Sequence, residues 1–299
     1  MDTSNSRNLS FSVSPSELAS LIGMPNAPLI IDVRRQAPFE SATHVIAMAQ
    51  RCDPGAIDSL IQSMPPRDVI VYCVYGHQVG QEAAAALCQA GWSTRFLAGG
   101  IAGGQVDVDT VDDIKTWQST RPLTMRKRPD FGVTGLTPSR WITRSRPKID
   151  RIACPWLIRR FIDSRAQFLY VPTATVLTEA KRLNAIAYDT PGAPISHEGD
   201  LCSFDALLAA FDLQSDLALA ELANIVRAAD TDTLDRAPQA AGLLALSQGL
   251  SSQYAADDLA MLEAAMPMYD ALYAWCRLQT TGQTQTHNWT PESMQAKQP

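Results

Sequence analysis

No apolar run in this 299-residue sequence approaches the roughly 18–20 residues that cross a bilayer, so no membrane span is expected. The opening residues, MDTSNSRNLS, lack the apolar core of a secretory signal, and the expected compartment is the cytoplasm. Cysteine is scarce and scattered. Cys52, Cys73, Cys88, Cys154, Cys202 and Cys276 form no CxxC pair, which argues against a zinc ribbon or a disulfide framework and for reduced thiols. Positive charge is also in deficit: the net charge of −6 disfavours general nucleic-acid binding. That balance hides an asymmetry, because twelve of the 25 Lys and Arg residues lie between Arg121 and Arg165. The stretch is broken by Pro and Gly and holds no recognisable helix-turn-helix, so a DNA-binding regulator ranks below the other readings.

What is present is the composition of an ordinary globular protein, 46% hydrophobic and 19% charged. At about 150 residues per domain, the length gives a prior of two domains. Residues 1–13 read as a flexible lead. SPSELASLIG then predicts a short helix capped by Ser14, with Pro15 at its first position. PLIIDVR and DVIVYCV are continuous apolar runs, as expected for strands buried on both faces. QEAAAALCQAGW reads as a helix closed by Gly91, and STRFLAGG as a third strand. This alternation predicts an α/β domain with a parallel sheet over residues 14–117.

Residues 118–140 read as a linker. Beyond it, RIACPWLIRRFID carries helical spacing, and Pro155 places the expected helix start near Ala153 or Cys154, with Asp150 just ahead. FLYVP and IAYD read as short strands flanking the helix TVLTEAKRL. The helical patterns that follow make the second domain, residues 141–279, mostly α in an α+β arrangement. Tyr269, Leu272, Tyr273 and Cys276 share one helical face and read as core. Residues 280–299 read as a disordered tail.

Two groups of residues carry chemistry. Cys73 sits where a buried strand gives way, through VYGHQVG, to a helix. Loop N–H groups and the helix N-terminus would favour a thiolate there, and Gly76 allows the loop its tight path. In the second half, His197, Cys202, Asp230 and Asp232 supply imidazole, thiolate and carboxylates, a set sufficient for a divalent metal though without a signature spacing. Arg144, Lys148, Arg151 and Arg159 could together hold an oxyanion. The plainer alternative is that the arginines pair with Asp150, Asp163 and Asp205 while Cys202 is buried. Asp32 and Arg34 read as structural, and His44 as a packed loop residue.

LIIDVR with FESATHVIAMA, VIVYCVYGHQVG with its alanine-rich helix, and GWSTRFLAGGI follow one another in the order of the rhodanese-like sulfurtransferases. The sequence resembles that family over residues 15–105. The resemblance implies a rhodanese-like α/β fold in which Cys73 carries a persulfide and Val74, Tyr75, Gly76, His77, Gln78 and Val79 cradle it. The loop resembles the shorter kind, suited to a single sulfur atom. The family often has arginine where Val74 and Gln78 stand here, and His77 is the loop's one side chain titrating near neutrality.

PKIDRIACPWLIRRFID, SHEGDLCSFD, IVRAADTD, APQAAGLLALSQGLS and MYDALYAWCR are similar to the C-terminal domain of the chromate resistance (ChrB) family. Together the resemblances imply a cytoplasmic sulfurtransferase acting in chromate stress. The implied partners are a small-molecule sulfur donor and a thiol acceptor, with chromate or sulfate as a further ligand and no membrane. No cofactor is firmly implied beyond a divalent metal in the second domain. The competing expectation is a non-catalytic chromate or metal sensor with a silent rhodanese module.

Overall fold

The computed structural model describes residues 11–282. Most of the tail read over 280–299 and most of the lead read over 1–13 lie outside the described residues; Thr280 itself ends the last helix rather than opening a tail. The first half runs β1 (Ser12–Val13), α1 (Pro15–Leu21), β2 (Leu29–Asp32), α2 (Gln36–Ser41), β3 (His44–Ile46) and β4 (Gln50–Arg51). It continues through α3 (Ile57–Ser63), β5 (Asp68–Tyr72), α4 (Gln78–Gln89), β6 (Ser93–Leu97) and α5 (Val111–Thr120). Five of these strands form one parallel sheet in the order β1-β6-β5-β2-β4.

The unbroken apolar runs of β2 and β5 have their reason in this sheet, which is covered on both faces. Ile31, Val69, Val71 and Cys73 face a core shared with α4. Ile30, Ile70 and Tyr72 face the other way. Local signals hold as well: the Ser14 side chain accepts the Glu17 N–H ahead of Pro15, and Gly91 follows α4 with φ of 85°. Asp32 accepts from the Arg34 guanidinium at 2.9 and 3.0 Å and from the Tyr72 hydroxyl at 2.8 Å, tying the end of β2 to β5.

The second half begins with β7 (Thr124–Arg126) and β8 (Arg140–Arg144), followed by α6 (Asp150–Leu157), β9 (Gln167–Val171), α7 (Val176–Leu183) and β10 (Ile186–Ala187). Four helices complete it: α8 (Ser203–Ala210), α9 (Leu217–Asp230), α10 (Ala240–Gln253) and α11 (Asp258–Thr280). A three-stranded parallel sheet, β10-β8-β9, is built into this helical half. No helix among the described residues is long and apolar enough to cross a membrane.

The two halves share a core. Ile30, Ile70 and Tyr72 belong to the same apolar cluster as Trp141, Trp156, Phe161 and Phe204. At the seam Gly23 lies so close to Phe161 that a Cβ there would sit 2.2 Å from the ring, and Met48 donates its N–H to the Phe161 carbonyl at 2.7 Å. His44 bonds Asp212 across the seam at 3.0 Å. The stretch 118–140 is packed into the seam: β7 pairs antiparallel with β3, and Met125, Phe131 and Val133 are buried in the shared core.

One expectation is corrected. Helix α6 begins at Asp150, not near Ala153 or Cys154, and Pro155 stands in its interior. A proline there cannot donate to the carbonyl of residue 151. The structure supplies other donors: the Tyr170 and Tyr188 hydroxyls reach the Arg151 carbonyl at 3.4 and 3.3 Å. A π-type turn over residues 158–162 then absorbs the irregularity.

Candidate functional site

Cys73 directly follows β5, and α4 begins five residues later. The residue is buried, and its sulfur lies 3.9 Å from the His77 carbonyl oxygen. A Cβ at Gly80, in the first turn of α4, would come within 3.2 Å of Sγ, so a glycine there leaves the sulfur its space. The loop is anchored from behind, with the Cys73 and Val74 carbonyls accepting from Ile101 and Ala102 N–H at 3.0 and 2.8 Å. Gly76, at φ of 75°, approaches Leu97, Gly99 and Gly100 so closely that no side chain fits.

The other loop residues divide their roles. His77 Nε2 lies 2.9 Å from Asp109, which also accepts the Gln105 N–H at 2.6 Å. Burial pushes Asp109 upward, but the hydrogen bonds from Gln105 and His77 outweigh it and hold its carboxyl below the ordinary range. The Gln78 side chain is engaged with Glu82, Tyr75 is exposed, and Val79 packs against the core that holds Cys73.

The second constellation gathers from four separate segments. Asp150 opens α6, Asp189 follows β10, His197 stands in the loop before α8, and Asp230 ends α9. His197 Nε2 lies 3.3 Å from Asp150, 3.4 Å from Asp189 and 3.2 Å from Asp230. One nitrogen can bond only one of three oxygens well. Two ligand atoms bound about 2.1 Å from one ion at a tetrahedral angle stand about 3.4 Å apart, close to the distance from His197 to each carboxylate. Ligand atoms of Asp150, His197 and Asp230 all lie within 4.8 Å of one another.

The surroundings fix these carboxylates. Asp150, only 1% exposed, accepts the Ser203 and Phe204 N–H groups at 2.7 and 3.3 Å, capping α8. Asp189 is held by Arg144 at 2.7 Å, by Arg151 at 3.2 Å and by the Ser203 hydroxyl at 3.1 Å. The hydrogen bond to Asp150 raises His197 to about 9 against the pull of burial, and the three negative charges add to it. Burial, then the charges of Asp150 and Asp189, push Asp230 up to about 6. The His197 side chain remains 40% exposed, so one side of the cluster is open to solvent.

Not every expected ligand is here. Cys202 and Asp232 stand apart from the three-ligand cluster. Cys202 is fully buried at the start of α8, its N–H bonded to Asp205, and burial drives its thiol far up. Asp205 itself is gripped by Arg227 at 2.8 and 2.9 Å. Asp232 is exposed in the turn beyond α9. The four cations expected to share an oxyanion do not converge: Arg144 and Arg151 hold Asp189, Arg159 pairs with Glu263 at 2.5 Å, and Lys148 is exposed. Sequence reasoning missed Asp150 and Asp189 as members of the site. The signal for Asp189 was its place just past a buried strand; the proline rule misplaced the start of α6 and so hid Asp150.

The rhodanese-like domain family matches residues 14–106, and the family of the ChrB C-terminal domain matches residues 141–276. A relative from Cupriavidus metallidurans, the protein ChrB, is 36% identical over 151 residues, which are 48% of this chain and 45% of that protein. The chain thus spans under half the length of the curated relative it matches. Among solved structures, a rhodanese-related protein from Thermoplasma volcanium is 23% identical, covering 30% of this chain and 85% of its own, with a TM-score of 0.26. A rhodanese homolog from Thermus thermophilus is 27% identical, covering 30% and 94%, with a TM-score of 0.25. The chain joins a rhodanese-like domain to a ChrB C-terminal domain.

Proposed function

We propose that this protein acts in the chromate response through two sites, a divalent-metal centre in its C-terminal half and a sulfur-carrying thiol in its rhodanese loop. The observation that carries the reading is His197 Nε2 standing 3.2–3.4 Å from three carboxylates. Oxygen donors with one imidazole suit a hard or borderline ion such as Mn2+, Fe2+ or Zn2+. Asp150, His197 and Asp230 would hold it, and Asp189, fixed by Arg144 and Arg151, would steer their charge from behind. The exposed side of His197 leaves room for a further ligand.

Titration calorimetry of chelator-stripped protein with Mn2+ and Zn2+ tests this. About one equivalent is expected to bind, and His197→Ala and Asp230→Asn should each abolish it. An unmodified protein that binds neither ion, or variants that bind as well as the parent, would refute the centre.

The Cys73 loop favours a sulfur-transfer role, on the space that Gly80 leaves at the sulfur. The Cys73 thiolate attacks the outer sulfur of a sulfane donor, forming a Cys–S–S bond as the donor's bond to that sulfur breaks. With thiosulfate the leaving group is sulfite. An acceptor thiolate then takes the outer sulfur and returns the Cys73 thiolate. Incubation with thiosulfate and with mercaptopyruvate separately should add one sulfur to the intact mass, absent in Cys73→Ser. No adduct with any donor, in protein that still binds metal, would favour the sensor with a silent rhodanese module.

A further inference from the structure

At the seam between the halves a cavity of about 360 Å3 opens beside the N-terminal ends of β2 and β5. Arg67 reaches it from the turn before β5, and Arg159, Arg160 and Arg165 from the segment after α6. Four guanidinium groups line it and no carboxylate does. The rest of the wall is largely apolar, with Met48 and Met64 prominent. Cys73 follows the far end of β5, so a strand of roughly 16 Å separates this cavity from the loop thiol.

Like charges gather at one wall only if they are compensated. Arg159 has Glu263, Arg160 has Asp270 and Arg165 has Asp163, none of which lines the cavity. Among the described residues Arg67 has no ion pair or hydrogen bond, whereas Arg165 is engaged by Asp163 and by the Leu136 and Gly135 carbonyls. Arg67 is a donor awaiting an acceptor, on the side chain whose planar fork suits phosphate best. Of the four cations that the sequence grouped as an oxyanion site, only Arg159 lies here.

We propose that the seam cavity binds an organic phosphate, its head group held by Arg67 and Arg159 and its apolar body resting on Met48 and Met64. The apolar half of the wall distinguishes this ligand from a bare tetrahedral ion, which would leave that surface empty. Because both halves contribute lining residues, the ligand ties them together and stabilises the whole chain. Neither the metal centre nor Cys73 chemistry is needed for this binding.

Calorimetry on the full chain, with chelator present to keep anions from any metal at His197, uses phenyl phosphate, orthophosphate and sulfate as probes. Phenyl phosphate is expected to bind more tightly than either inorganic ion. Arg67→Ala and Arg159→Ala should each weaken it roughly tenfold or more, the worth of one charge-assisted hydrogen bond. Arg95→Ala, whose side chain pairs with the exposed Glu17 and does not line the cavity, serves as the control and should bind as the parent does. Arg67 lies on an exposed turn, so its loss leaves the fold intact. The proposal is overturned if no probe binds, if Arg67→Ala binds as tightly as Arg95→Ala, or if orthophosphate binds as tightly as phenyl phosphate.

Discussion

Asp150→Ala should cost the protein about 2–4 kcal/mol of stability and all of its metal binding at once. The carboxylate is buried and accepts the first two N–H groups of α8, from Ser203 and Phe204. Alanine leaves both donors without a partner at a position that is only 1% exposed. A hydrogen bond to a charged group contributes about 1.5–3 kcal/mol. Part of the loss is offset because Asp150 no longer repels Asp230 and Asp189. Asp150→Asn separates the two effects, since its single amide oxygen still accepts one of the two α8 N–H groups but is a poor ligand. It should lose less stability than the alanine variant and bind no metal. Urea unfolding in chelator, beside a metal titration, measures both, and the largest cause of the raised His197 pKa would disappear with Asp150. An Asp150→Ala protein as stable as the parent would show that α8 does not depend on this cap.

In chelator the protein should lose stability as pH rises from about 6.5 to 9, and in excess Mn2+ it should not. His197, raised to about 9, keeps its proton in the folded state over a range where the unfolded chain has released it. A group raised on folding contributes most below its unfolded pKa, and that contribution is lost as pH climbs through the folded value. Asp230, raised to about 6, acts in the same direction at lower pH: its proton is held more tightly in the folded state, and that advantage fades from about 4 to 6. Because His197 is 40% exposed, solvent screens part of the effect, and the direction of the trend is the test. A divalent ion must displace the same protons, so its apparent affinity should rise by up to about tenfold per pH unit below 9. Melting curves with chelator and with Mn2+ should therefore diverge steadily from pH 6.5 to 9. Parallel curves would mean that His197 is not a ligand.

Much of the first half is legible in the sequence because its signals are local. Ser14 and Pro15 mark a helix start within two residues, and Gly91 marks a helix end. PLIIDVR and DVIVYCV announce buried strands because a parallel sheet covered on both faces admits apolar side chains at every position. The loop after Cys73 follows from that order, since a turn between a parallel strand and its crossover helix must present its backbone there. The second half yields less. Its metal candidates come from a helix start, a strand end, a loop and a helix end, and no spacing links them. His197 and Asp230 were visible as residue types, whereas Asp150 was obscured by Pro155. The proline rule assumes that the lost hydrogen bond goes unreplaced, and here Tyr170 and Tyr188 replace it from elements distant in the chain.

The sequence by itself determined the two-part organisation, the parallel sheet and the place of Cys73, all of which rest on hydrophobic periodicity and on turn and cap residues acting over a few positions. Only the tertiary structure decided which charges meet. It turned Arg144 and Arg151 toward Asp189, buried Cys202 apart from the cluster, joined Asp150 to His197 and Asp230, and carried Arg159 to a cavity that Arg67 also lines. The reason is physical: a charged group settles where burial and the nearest opposite charge balance, and that balance depends on chain segments brought together only by the packed core.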